Sequence, residues 1–182
     1  PGVYFMTQNE NNRKVTLKFG GEAFAGGRVP LTLLADKLKA FQSFLFHSAA
    51  TLEHNAGARR GQWVNRYRDA VELRFTDART GSLIIEAELD ESDKNLLDIP
   101  SLGIEAIELA YDFAKSVNEG DPKTLSDKVP DRQERITLLR SLENLSPRTN
   151  EAYDLTFANG SANHPGVVLS PKTRKLAQSF IY

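Results

Sequence analysis

The densest run of chemically capable side chains is Arg59-Arg60-Gly61-Gln62-Trp63-Val64-Asn65-Arg66-Tyr67-Arg68, where four arginines interleave with the only tryptophan of the chain and a tyrosine. Guanidinium groups pair with phosphates and aromatic rings stack on bases. Arg59, Arg60, Trp63, Arg66, Tyr67 and Arg68 therefore spell a nucleic-acid-contacting edge. The same residues also suit a loop-to-strand junction, with Trp63 and Tyr67 plugging the core and the arginines solvated or paired with carboxylates. Charge patterns of this kind more often serve that structural role.

A second constellation is acidic: Glu86, Glu88, Asp90, Glu91 and Asp93. Glu86 and Glu88 are two apart and share one face of a strand, where two carboxylates could hold a cation for a metal-dependent hydrolase. The Asp-x-Asp-x-Asp-Gly calcium loop is missing, and the strand runs on as Glu86-Ala87-Glu88-Leu89 without a lysine. A solvated strand end is the simpler reading. Of the three histidines, His47 and His54 stand seven residues apart, roughly 10 Å along a helix, whereas helical ligand pairs need a spacing of three or four. Ser43 and Asp36 share a helix face with His47, a coincidence that polar faces produce routinely, and His164 sits among turn residues. Gly20-Gly21 follows a strand but opens no Gly-x-Gly-x-x-Gly or Gly-Lys-Ser/Thr loop, and no Gly-x-Ser-x-Gly elbow occurs. With no cysteine in the chain, a thiolate nucleophile, thiolate metal sites and disulfides are excluded. The sequence calls for no cofactor.

The elements that must position these residues are legible in the hydrophobic pattern. Val15, Leu17 and Phe19 alternate as a strand that stops at Gly20-Gly21. Pro30 then opens a helix whose Leu31, Leu34, Leu38, Phe41, Leu45, Ala49 and Leu52 form one narrow apolar stripe. Val71, Leu73 and Phe75, followed by Leu83, Ile85, Ala87 and Leu89, predict a hairpin around Gly81. Ile84 lies on its outer face beside Glu86 and Glu88. Ser101 is the expected N-cap of a helix reaching about Val117, with Glu105, Glu108, Asp112 and Lys115 as its single polar stripe. So narrow a polar face predicts burial on two sides. Asp131 and Glu134 make a capping-box pattern at the head of a third helix. Strands around Tyr153–Phe157 and Val167–Leu169 follow, and Ser170-Pro171 opens a last helix.

The expected fold is therefore α+β, in the order β-α-β-β-α-α-β-β-α, with a largely antiparallel sheet and helices mainly on one face. Its 182 residues fit one domain. Forty per cent hydrophobic and 26% charged residues describe an ordinary globular chain, and no apolar run approaches the roughly 18 residues that span a bilayer. No secretory signal is visible, so a cytoplasmic location is expected. Met6 is the expected natural start and residues 1–12 are expected to be flexible. The apolar end Phe180-Ile181-Tyr182 is expected either to pack down or to continue into more protein.

The net charge of −1 hides a segregation. Residues 1–68 hold ten Lys/Arg against four Asp/Glu, and residues 69–121 hold four against fourteen. Opposed patches of this kind bear on partners rather than on fold.

Leu17-x-Phe19-x-Gly21, Val29-Pro30-Leu31 heading an amphipathic helix, Leu73-x-Phe75 and Gly81-Ser82-Leu83 together resemble a group of uncharacterised bacterial proteins, across the first hundred residues. In that group a small β-rich domain tends to follow. The resemblance implies a bacterial source and a continuing chain, and it supplies no activity and no functional residue.

The sequence thus points to a non-enzymatic protein-interaction or assembly module that binds a protein partner or itself, with Phe180 and Tyr182 as interface residues. Its alternative is a nucleic-acid accessory domain built on the Arg59–Arg68 stretch. The metal-dependent hydrolase on Glu86 and Glu88 comes last.

Overall fold

The computed structural model describes residues 14–27, 30–55, 71–79, 83–91, 102–159 and 166–181. Strand β1 is Lys14–Gly20, helix α1 Leu31–Asn55, β2 Val71–Arg79 and β3 Leu83–Glu91. They are followed by α2 at Leu102–Glu119, α3 at Pro122–Lys128, α4 at Arg132–Leu145, β4 at Asp154–Asn159, β5 at Val167–Leu169 and α5 at Pro171–Ile181. The α+β class and the antiparallel sheet read from the sequence are present. Two elements are additional: a 3₁₀ turn at Glu22–Gly27 and the seven-residue α3. Helix α3 leaves no periodic stripe to read, because only Leu125 in it is buried.

The five strands run in the order β2-β3-β1-β4-β5, and every pairing is antiparallel. The first strand is thus the centre of the sheet, with one hairpin added on each side. Val15, Leu17 and Phe19 of β1 are fully buried, in register with Ala87, Ile85 and Leu83 on one side and Asn159, Phe157 and Leu155 on the other. Alternate residues face away from this core: Lys18 is exposed, Ile84 and Glu86 are half-buried, and Val168 is exposed. Period-two alternation decides this split. In β2 the register shifts between Phe75 and Asp77, a bulge that leaves Thr76 without a partner in β3.

Two layers of helix cover the apolar face. Helices α1 and α2 pack together nearest the sheet, α4 packs behind α1, and α5 packs on α4, α2 and the edge strand β5. Helix α1 therefore has two buried stripes rather than the one that its leucines predict. Phe41, Leu45 and Ala49 belong to the expected stripe, while Leu31 at its head is exposed. Lys37, Phe44, Ser48 and Thr51 form a second, which follows from the packing of α4 on α1. Polar residue types disguised this second stripe. Ser48 is accommodated because its Oγ donates to the Phe44 carbonyl one turn back, at 2.9 Å. Helix α2 is covered on two sides as its composition implies, and what covers it is α1, α3 and α5 of the same chain. Glu105, Glu108, Asp112 and Lys115 remain exposed as its only polar stripe.

Local chemistry ends the helices. Gly120 has φ 70°, its N–H donates to Val117 at 3.0 Å and the next N–H, of Asp121, donates to Ser116 at 3.4 Å. These two bonds close α2 through a left-handed residue. Asp121 then caps α3 at once, accepting from the Lys123 and Thr124 backbone at 3.1 and 3.3 Å. The Thr124 hydroxyl above all, and then those backbone bonds, hold its carboxyl below the usual range. Asp131 caps α4 through the Glu134 N–H at 3.0 Å, the backbone half of the expected capping box. Ser170 and Thr173 cap α5 reciprocally, at 3.1 and 3.4 Å.

Phe41 is fully buried and meets the Phe157 ring at 5.0 Å, whereas Leu38 lies at the margin of the core. Phe41→Ala should destabilise the chain by about 3–5 kcal/mol, and Leu38→Ala by no more than about 2 kcal/mol. Equal losses in urea unfolding would contradict this placement of α1.

Candidate functional site

Helix α1 runs antiparallel to α4, and each end of the pair is tied by polar groups. At one end the His54 imidazole of α1 lies against the carboxylate of Glu134, a buried residue in the first turn of α4. At the other end lies the richer assembly. The last four carbonyls of any α-helix lack partners within the helix. In α4, the Leu142 carbonyl accepts from the Ser146 N–H at 2.9 Å and its Oγ at 2.7 Å. The Glu143 carbonyl accepts from Arg174 Nη1 at 2.7 Å, and the Asn144 carbonyl from Lys37 Nζ at 2.9 Å. Both cations reach on to the Ser146 carbonyl, Arg174 at 3.3 Å and Lys37 at 3.4 Å. Lysine and arginine suit this place because the helix C-terminus carries partial negative charge.

Around these cations is a cavity of about 370 Å³ lined by Leu33, Asp36, Lys37, Ala40, Asn144, Arg148, Glu151 and Arg174. Spacing on α1 puts the first four on one helix face. A turn closed by the Glu151 N–H on the Arg148 carbonyl, at 3.0 Å, brings Arg148 and Glu151 to the rim together. Arg174 is held from behind by Glu143, whose carboxylate lies 3.8 Å away and also accepts from Gln178 at 2.9 Å.

Lys37 is the unusual member. Its side chain is only 8% exposed, and Glu151, 3.8 Å away, is its sole ion-pair partner among the described residues. Burial pushes its ammonium below the ordinary lysine range; Glu151 opposes the shift, and Arg174 and Arg148 add to it. Its Nζ lies over the Tyr153 ring, 5.8 Å from the centroid. Burial, followed by the Glu151 charge, raises the Tyr153 hydroxyl far above the usual phenol range, so it stays protonated. That hydroxyl faces the Glu151 carboxylate, which adds to the rise. Neither it nor Glu151 Oε2 makes a well-formed hydrogen bond with a described residue.

Tyr153 owes its place to the Gly20-Gly21 stop. Gly21 has φ 93°, and a Cβ there would lie 2.9 Å from the Ala152 oxygen and the Tyr153 Cα. This close approach lets Ala23 donate to the Ala152 carbonyl at 2.8 Å and packs Phe19, Phe24 and Tyr153 as three rings with centroids 5.2 to 6.3 Å apart.

The structure treats the sequence-expected residues unevenly. Arg59, Arg60, Trp63, Arg66, Tyr67, Arg68 and Tyr182 lie outside the described residues, as do Ser101 and His164. Glu86 is half-buried on the sheet face away from the helices, and Glu88 is described only by its backbone, in register with Lys14 of β1 and Arg74 of β2. Among the described residues no three His, Asp or Glu side chains converge to hold a metal ion. No described helix is long and apolar enough to cross a membrane. Phe180 packs half-buried against the core with Leu176 and Ile181. Sequence reasoning missed Lys37, Glu151 and Arg174. The one available signal was Lys37 four residues before Phe41, a charge at a position that the helical period assigns to a buried face. Comparison with known protein families, curated proteins and solved structures found no match.

Replacing Lys37 by Met keeps the length of the side chain but strips donors from the end of α4, at a cost on the order of 1–3 kcal/mol. Because the folded state lowers the Lys37 pKa from 10.5, the unfolded chain binds that proton more tightly. Stability attributable to Lys37 should therefore rise with pH between the lowered value and 10.5. Urea unfolding across this alkaline window should show the gap between parent and Lys37→Met widening as pH increases. A gap independent of pH would contradict the burial of the charged amine.

Proposed function

We propose that the domain is a cytoplasmic protein-interaction module that takes an acidic group of a partner protein, or of a second copy, into the cavity between α1, α4 and α5. One observation carries this reading: a buried ammonium and a half-buried guanidinium are fixed at the wall of an open cavity by backbone carbonyls, with Arg148 exposed at its rim. Cations held by the backbone lose little further freedom when a ligand arrives, which is the condition for binding at low entropic cost. Burial disfavours the charged form of Lys37, and an entering anion relieves that penalty. The carbonyls supply dipoles rather than full charges, and the carboxylates that balance Lys37 and Arg174, Glu151 and Glu143, stand 3.8 Å off, so the exposed Arg148 at the rim is the cation that draws in a carboxylate. Concave sites with a few converging polar groups are where ligands are usually held.

Binding of an anion should raise the melting temperature by about 2–4 °C for each kcal/mol of stabilisation, RT ln(1 + [L]/Kd), that it contributes. Exchanging chloride for acetate at constant ionic strength should produce such a rise in the parent. Arg148→Ala, an exposed change at the rim, should reduce it without lowering the melting temperature in chloride. Identical acetate responses in the two proteins would remove the cavity from consideration.

A further inference from the structure

We infer that a second copy of this chain pairs along the outer edge of β2, two-fold about Leu73, so that two five-stranded sheets continue as one. This surface is separate from the cavity between the helices, and the inference does not depend on what that cavity binds.

The two edges of the sheet are unlike. Strand β5 is three residues long, and its Val168 carbonyl already accepts from Asn118 Nδ2 at 2.8 Å and from the Thr173 hydroxyl at 3.4 Å. Strand β2 is nine residues long, and β3 is its one strand neighbour among the described residues. An edge strand presents a row of backbone N–H and C=O groups that a further strand can satisfy. The bulge between Phe75 and Asp77 bounds the regular part of this edge. What remains is Val71–Phe75, close to the length of an average strand.

The order of residues in that segment selects the partner. An antiparallel two-fold pairing places residue i opposite residue j and j opposite i. About Leu73 it sets Val71 opposite Phe75, Leu73 opposite its own copy, and Glu72 opposite Arg74 twice. Every apolar position then meets an apolar one, and every acid meets a base. Centring the axis on Glu72 or on Arg74 sets like charges against themselves. A shift of register by one residue puts apolar positions opposite charged ones, on the wrong face of the sheet.

The register within one chain supplies a second argument. Leu73 and Phe75 stand opposite Leu89 and Ala87, and Ala87 is buried, so these positions belong to the core face. On the other face Arg74 stands opposite Glu88, which in turn stands opposite Lys14, and the charges alternate across three strands. Glu72 breaks the alternation, because its neighbour in β3 is Asp90. Like charges directly opposite one another are destabilising. The two-fold puts the partner's Arg74 on the open side of Glu72, followed by the partner's Glu88 and the partner's Lys14. The acidic pair at the edge thereby gains a cation, and the alternation runs across the junction.

Sedimentation of the full chain over a concentration series tests the inference, with the melting temperature of each variant as the folding control. The parent should show a reversible monomer–dimer equilibrium. Arg74→Glu and Glu72→Arg each turn both cross-subunit pairs into like-charged ones, and each should weaken self-association by about tenfold. Glu72→Arg sets a base opposite Asp90 within its own chain, so its loss of association cannot be attributed to a weakened fold. Mixing the two folded variants in equal amounts restores opposite charges at both pairs and should return association to near the parent's affinity. Arg148→Ala, at the rim of the cavity, should leave it unchanged. A strict monomer at every concentration, a dimer indifferent to Glu72→Arg, or folded variants that fail to associate on mixing would each overturn the inference. A dimer dissolved by Arg148→Ala alone would overturn it in favour of an interface at the cavity.

Discussion

The end of α4 is the constraint on which much of the described structure turns. A helix that stops inside a protein must find partners for its last carbonyls, since burying them bare costs a few kcal/mol at most sites. Here the donors come from other elements: Lys37 reaches across from α1 and Arg174 from α5. Each bond therefore does more than end a helix. Together they fix the axial position of α4 against α1 and the placement of α5 on α4. The His54–Glu134 pair sets the opposite end of the same helix pair, so the packing of α1 on α4 is held in one register.

A second tie attaches α5 to the sheet. Thr173 donates to Asn118 Oδ1 at 2.6 Å, and Asn118 Nδ2 donates to the Val168 carbonyl at 2.8 Å. The carbonyl of an edge strand is thereby occupied by a side chain from the end of α2. Edge strands with free backbone groups invite pairing with other chains, and covering them is a common defence. The same threonine caps α5, so one residue joins the start of a helix, the end of another and the edge of the sheet.

Under the proposed reading, structure and recognition share groups in the cavity. Lys37 and Arg174 hold the fold through part of their donor set and line the open space with the rest. Arg148 and Asp36 are exposed and less committed. The division implies that rim residues tune affinity with little effect on folding, while changes to Lys37 disturb both.

Alternation and helical period, which depend on near neighbours in the chain, were enough to determine the strands β1 to β5, the helices α1, α2, α4 and α5, and the capping of α4 by Asp131. Glycine chemistry at Gly20-Gly21 was legible as a stop. Only the tertiary structure decided that β1 sits at the centre of the sheet, that α3 exists, and that α1 is buried on two sides. The candidate site belongs to the second class for a definite reason. Its residues come from positions 33 to 174 and are unremarkable one by one, a lysine on a helix, a glutamate in a turn, an arginine near the end. What makes them a site is that the carbonyls left over at the end of α4 need donors, and only folding shows which cations supply them.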